Sequence, residues 1–161
     1  MKLKIKFKKL DPSAIAPIQK GDWIDLSNSK EIVLNKCISF TLAHTYLQIQ
    51  IPKGFEAIMA PRSSNFKNYE IIQTNHIGII DQEYCGPTDE WKIPISLIKA
   101  PSKGNEIVIP AGARIAQFRI QLSQKATFIQ KLKWLLSSGI VLEEVSVLNN
   151  KDRGGFGSSG K

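Results

Sequence analysis

Apolar residues in this chain come in short bursts, roughly four to eight long, each closed by Pro, Gly, Asn or Lys. Runs of that length suit strands, because a helix that buries one face needs ten residues or more. The fold class expected is therefore all-β. Residues 2–9 alternate strictly, so Leu3, Ile5 and Phe7 face a core while Lys2, Lys4, Lys6 and Lys8 face water, a comb of charge suited to guarding a sheet edge. Further strands are expected at 38–42, 47–51, 55–60, 91–100 and 106–109, with tight turns at Pro52-Lys53-Gly54 and around Gly104. One patch breaks the pattern. Phe128, Leu132, Leu135 and Leu136 recur at helical spacing before Ser137-Ser138-Gly139, predicting a short helical insertion near residues 126–138, packed on the β-core or on a sister subunit.

The 161 residues suit a single domain, residues 1–150. The Gly-rich segment 151–161 that follows cannot hold itself in a fold and reads as a flexible tail. Twenty-two Lys and Arg against 14 Asp and Glu give a net charge of +8, which attracts polyanions. No apolar run is long enough to span a membrane, residues 1–10 lack a signal peptide's continuous apolar segment, and a cytoplasmic location is expected. Beyond the N-terminal comb no basic stripe alternates with aromatics, so no direct nucleic-acid role is expected. Cys37 and Cys85 have neither metal-ligand nor disulfide-framework spacing and read as ordinary reduced thiols. His44 has no evident partner and is assigned no role.

Chemistry concentrates in five stretches. Residues 71–86 read as a hairpin turning near Gly78, with Asp81 and Tyr84 on its rim: a carboxylate that can orient water and an aromatic wall for a sugar or base. In residues 21–27, Asp25 lies between Ile24 and Leu26, where a carboxylate needs a partner, a cation or backbone donors in a turn. Residues 60–65, Ala-Pro-Arg-Ser-Ser-Asn, combine a guanidinium, hydroxyls and the start of a short helix, a composition suited to phosphate and also common in loops. In residues 112–118, strand alternation places Arg114, Ala116 and Phe118 on one face and Ile115 and Gln117 on the other, so Gln117 is either a ligand-facing amide or a surface one. The tail carries Arg153, Phe156 and paired hydroxyls among glycines, which suits a lid over a base and its phosphates.

Taken in order, these stretches resemble the five motifs of the homotrimeric dUTPases of bacterial or phage type, above all in Pro61-Arg62-Ser63-Ser64, Gly78-Ile79-Ile80-Asp81 with Tyr84 and Gly86, Arg114-Ile115-Ala116-Gln117 and Gly154-Gly155-Phe156-Gly157-Ser158. The resemblance implies a jelly-roll-like β-barrel that trimerises, with sites shared between subunits and the tail closing over the ligand. It implies Mg²⁺-dependent hydrolysis of dUTP to dUMP and pyrophosphate, with Asp81 activating water for attack on the α-phosphorus. By the same resemblance Tyr84 packs beneath the deoxyribose, Asn75 and the backbone around Ile80 read uracil, and Arg62, Ser63, Ser64 and Gln117 hold phosphates. Asp25 organises the water shell of a metal held mainly by the substrate's phosphates; Phe156 stacks on the uracil, Arg153 and Ser158 approach the outer phosphates, and Gly157 between them also binds substrate. Two alternatives accompany this expectation. A nucleotide-gated regulatory protein of the same fold would use the helical insertion to engage a protein partner. The related dCTP deaminases need a catalytic Glu on the strand after the central hairpin, and residues 92–97 carry no carboxylate.

Overall fold

The computed structural model describes residues 1–35, 40–102 and 105–156. They form β1 (Leu3–Lys9), β2 (Ile18–Gln19), β3 (Ile24–Ser27), β4 (Ile32–Leu34), β5 (Thr41–His44), β6 (Leu47–Gln50), β7 (Phe55–Pro61), α1 (Asn65–Tyr69), β8 (Ile71–Gln73), β9 (Gly78–Asp81), β10 (Lys92–Leu97), β11 (Ile107–Ile109), β12 (Arg114–Leu122), α2 (Phe128–Leu135) and β13 (Ile140–Glu144). Four sheets result, ordered β2-β3-β12-β7-β9, β13-β1-β6, β5-β10-β8 and β11-β4. This is the all-β architecture that the short apolar bursts predict, jelly-roll-like as the resemblance implies. Its core joins the inner faces of these sheets through Ile5, Ile24, Leu26, Leu47, Phe55, Trp91, Ile93 and Phe118, all nearly inaccessible to water.

Three expectations change. First, β1 is no edge strand: it lies between β6 and a parallel partner, β13. Its lysines meet acids arriving from far along the sequence, Lys4 with Glu143 at 3.0 Å and Lys9 with Glu144 at 3.4 Å. Second, residues 71–86 are not a hairpin. β8 pairs with β10 while β9 pairs with β7, so the two arms enter different sheets and the turn at residues 74–77 bridges them. Third, the helix forms where predicted, with a capping box between Thr127 and Gln130, but its stripe does not pack inward. Phe128, Leu132, Leu135 and Leu136 are exposed, and Trp134 is the side chain that meets the core, edge-on to Phe55 at 5.4 Å.

Other expectations hold, or hold with a shifted boundary. The Pro52-Lys53-Gly54 turn is present, Phe55 N–H donating to the Pro52 carbonyl at 3.2 Å and Gly54 at φ +87°. The strand expected at 38–42 occupies Thr41–His44 within the described residues; positions 38 and 39, like Cys37 and Gly104, lie outside them. A register shift between Arg114 and Ala116 breaks the simple alternation on β12, which is why Arg114 is exposed although Ala116 and Phe118 are buried.

Candidate active site

One end of the five-stranded sheet is organised by Asp25. β3 is buried on both faces, so a carboxylate there must be paired. The register sets Asp25 opposite Gln117, and Gln117 opposite Ala60, across three adjacent strands. The chain leaving β7 carries Arg62, whose guanidinium contacts Asp25 Oδ1, and the start of β12 carries Arg114, whose Nη1 donates to Oδ2 at 3.0 Å. Both oxygens of Asp25 thus already accept from cations. Gln117 Nε2 donates to the Pro61 carbonyl at 3.3 Å. Ser64 stands at the N-cap of α1 without a side-chain capping bond, and Ser63 is exposed beside it. Asn65 is what fixes this loop: it is buried and donates to the Ile115 carbonyl at 2.7 Å.

The other end holds a cleft of about 290 Å³, lined by Met59, Asn75, Gly78, Ile79, Ile80, Asp81, Tyr84, Trp91, Lys92 and Arg153 through Phe156. β9 runs along β7 in a register that sets Asp81 opposite Glu56. Asp81 is nearly half exposed and contacts the Arg153 guanidinium of the tail. Tyr84 donates its hydroxyl to the Glu90 carbonyl at 3.0 Å. Burial foremost, then the charges of Asp89 and Glu90, push its phenol above the ordinary value, so it stays a neutral donor. Gly155 lies against the same ring, where an added Cβ would stand 3.0 Å from Tyr84 Cε2. Phe156, at φ +52°, turns over the cleft and remains exposed.

Several contributors to this end escaped the sequence. Gln73, buried, donates to Asn75 Oδ1 at 2.9 Å, which turns the Asn75 amide nitrogen toward Gly78, where it makes no hydrogen bond among the described residues. His44 has a partner after all, Glu90, at 3.0 Å from Nδ1; Glu90 also accepts from the Tyr46 N–H at 2.9 Å and lies 3.9 Å from Lys92. Trp91 and Lys92 line the cleft because Thr45 draws the segment before β10 inward, its hydroxyl donating to the Trp91 carbonyl at 2.5 Å. The Trp at the head of the strand expected at 91–100 was the signal available for this wall.

Asp81, Tyr84, Asn75, Ile80, Arg153 and Phe156 are therefore brought together in one chain. Arg62, Ser63, Ser64, Gln117 and Asp25 gather elsewhere. Six residues of β7 and its exit separate the Glu56 level, where Asp81 sits, from Arg62, about 20 Å of extended chain. Gly157 and Ser158 lie outside the described residues.

A family model for dUTPase matches residues 21–160, from before Asp25 to beyond Phe156. The chain is a member of the dUTPase family. This dUTPase-family chain is 36% identical over 160 residues to the SPbeta prophage-derived deoxyuridine 5'-triphosphate nucleotidohydrolase YosS of Bacillus subtilis, covering 99% of both chains. It is 36% identical over 163 residues to the deoxyuridine 5'-triphosphate nucleotidohydrolase of Clostridium novyi, covering 98% of this chain and 99% of that one. Among solved structures, a mutant dUTPase of the Staphylococcus aureus phage phi11, described for its coordination of a structural Mg(II) ion, superposes with a TM-score of 0.66 at 17% identity over 77% of this chain and 94% of the other. The Streptococcus mutans dUTPase gives 0.62 at 17% identity over 76% and 98%. These structures share the fold.

Proposed function

We propose that this protein hydrolyses dUTP to dUMP and pyrophosphate. The observation that carries the reading is an accessible carboxylate, Asp81, in a cleft lined chiefly by residues 75–84 and covered by residues 153–156, two of the stretches that resemble the family's motifs, in a chain that the family model matches from residue 21 to residue 160. Asp81 takes a proton from water as the water oxygen bonds to the α-phosphorus and the bond to the β-phosphate bridging oxygen breaks, releasing pyrophosphate. A carboxylate is a weak base, so most of the rate must come from positioning and from cations that neutralise the triphosphate. An incoming triphosphate competes with Asp81 for the Arg153 guanidinium, which frees the carboxylate for water.

Tyr84 offers its face to the deoxyribose and Asn75 its amide to uracil, beside the backbone at Ile80. Phe156 covers the base, with Gly157 and Ser158 next along the tail. Arg62, Ser63, Ser64 and Gln117 bind phosphates, but in one chain they stand about 20 Å of strand away from Asp81. The three phosphorus atoms of one nucleotide span far less. Both ends serve one substrate when a second copy supplies one of them, which supports a homotrimer with shared sites.

Mg²⁺ fits this site as a phosphate-bound ion. Among the described residues no cluster of three His, Cys, Asp or Glu forms a cage, and both Asp25 oxygens are engaged by arginines, so Asp25 acts on a metal only through water. Bound on the triphosphate, Mg²⁺ supplies charge neutralisation. No helix among the described residues is long and apolar enough to cross a membrane; action on free nucleotide in the cytoplasm belongs to the same proposal.

The test is pyrophosphate release from dUTP, dTTP, dCTP and UTP with Mg²⁺ and after chelation, beside Asp81→Asn. Release confined to dUTP and lost in the variant is the expected result. Ammonia from dCTP would instead indicate the deaminase, which β10, Lys-Ile-Pro-Ile-Ser-Leu, gives no acid to perform. The exposed apolar stripe of α2 favours a second role for the same protein, nucleotide-gated binding of a regulatory partner. Deleting residues 125–139 should then remove the partner and leave hydrolysis intact.

A further inference from the structure

Asp89 has no place in the motifs above, yet its side chain is almost wholly buried. It accepts three backbone hydrogen bonds: Oδ2 from Gly86 N at 2.9 Å and from Arg153 N at 2.8 Å, and Oδ1 from Gly154 N at 2.9 Å. Two of the three donors belong to the tail. A buried carboxylate left with one donor is costly, so this residue is suited to a body with its tail docked and ill suited to one without.

Neighbouring atoms extend the fastening. Thr88 N donates to Asp152 Oδ1 at 2.6 Å. Gly86 lets the tail backbone come so close that an added Cβ would stand 2.4 Å from Asp152 Cα, a contact only glycine permits. Gly154 turns the chain at φ +75°, again a glycine conformation.

We propose that Asp89 is a positioning residue that latches residues 152–154 beside the cleft and thereby sets where Arg153 and Phe156 stand. The donors it holds are backbone groups, so the latch reads the path of the tail and leaves the Arg153 side chain free. Arg153's contact with Asp81 is solvent-open on both sides and readily exchanged, whereas the Asp89 carboxylate is itself buried and its bonds to the half-buried tail amides are charge-assisted. The arginine can therefore pass from Asp81 to a phosphate while the tail stays fastened beneath it. In its effect on turnover the latch rests on the dUTP reading; in its effect on the tail it does not.

Hydrogen exchange of the Arg153 amide, followed without substrate in the full-length protein, separates the two. Loss of a charge-assisted bond to a backbone N–H shifts an open/closed ratio by about tenfold or more. Asp89→Ala should speed exchange at Arg153 by at least about tenfold, with Asp89→Asn between it and wild type, and should lower kcat/KM for dUTP about tenfold. Gly154→Pro deletes one donor and, because proline cannot adopt φ +75°, also breaks the turn that brings the tail to Asp89, while leaving the body intact, so it must loosen the tail at least as much even where Asp89→Ala folds poorly. In the double variant the losses must fall short of the product of the single effects, because both act on one latch. Exchange within about twofold of wild type in Gly154→Pro, or single effects that multiply as independent ones, would overturn the latch and leave Asp89 as a turn residue serving Gly86 alone. If wild type shows a protected Arg153 amide but no dUTP hydrolysis, the functional reading fails and the latch stands.

Discussion

Two carboxylates in the same sheet both meet arginine, and they are built for different work. Asp25 lies in a strand buried on both faces and holds two guanidinium groups, one on each oxygen. Asp81 lies at the end of an outer strand, is nearly half exposed, and holds one guanidinium that arrives on the tail. A carboxylate saturated by cations in a buried strand organises its surroundings: it fixes the loop after β7 to the start of β12. A carboxylate with one exchangeable partner at a cleft keeps an oxygen for water. Burial and valency, more than residue type, separate scaffold from reagent.

Asp81→Asn should therefore lower kcat for dUTP by about 10²–10⁴-fold while moving the unfolding free energy by no more than about 0.5 kcal/mol, checked by steady-state rates beside a denaturant titration. If stability falls as far as activity, Asp81 is scaffold too and the contrast dissolves. Mixing Asp81→Asn with Arg62→Ala subunits, unfolded and refolded together, sharpens the spatial side of the comparison. Shared sites should recover about a quarter of wild-type activity at equal mixing, since a given site then draws an intact residue from each kind of subunit with a chance of one half. Recovery no greater than the sum of the two inactive variants would mean that each chain works alone.

Asp25→Ala should cost about 2–3 kcal/mol of stability, below the roughly 3–5 kcal/mol for breaking a fully buried pair because both arginines stay partly open to water. Tyr84→Phe should cost about 1 kcal/mol, the worth of the hydroxyl's bond to the Glu90 carbonyl. The folded state holds the Tyr84 proton more tightly than the unfolded chain, so this contribution is fully present below about pH 10 and declines as pH rises through the raised folded value. Wild-type and Tyr84→Phe stability curves should accordingly converge on the alkaline side and run parallel at neutral pH.

How much of this could be read from the sequence follows from where each signal lies. The alternation of Leu3, Ile5 and Phe7 and the punctuation at Pro52-Lys53-Gly54 are local, and strand and turn appear as expected. Pairing is not local. Nothing between Ile71 and Asp81 tells that one arm will join β10 and the other β7, and nothing in the lysines of β1 announces Glu143 and Glu144. Asp81 and Tyr84 were visible because a motif holds them a few residues apart. Asp89 was not, because Thr-Asp-Glu reads as an ordinary loop until residues 152–154, more than sixty positions later, lie down on it.

The parallel pairing of β1 with β13 also orders events during synthesis. Among the described strands β1 is made before all the others and is the middle strand of its sheet, and one of its two neighbours, β13, is made after all the others. Until residue 144 emerges, Leu3, Ile5 and Phe7 lack half of their sheet, so that sheet closes late and by its most distant contact. The tail comes next in the chain. A nascent protein thus acquires the cover of its cleft only after the sheet beginning with its first strand has been completed, and an unfinished copy has no cover to close.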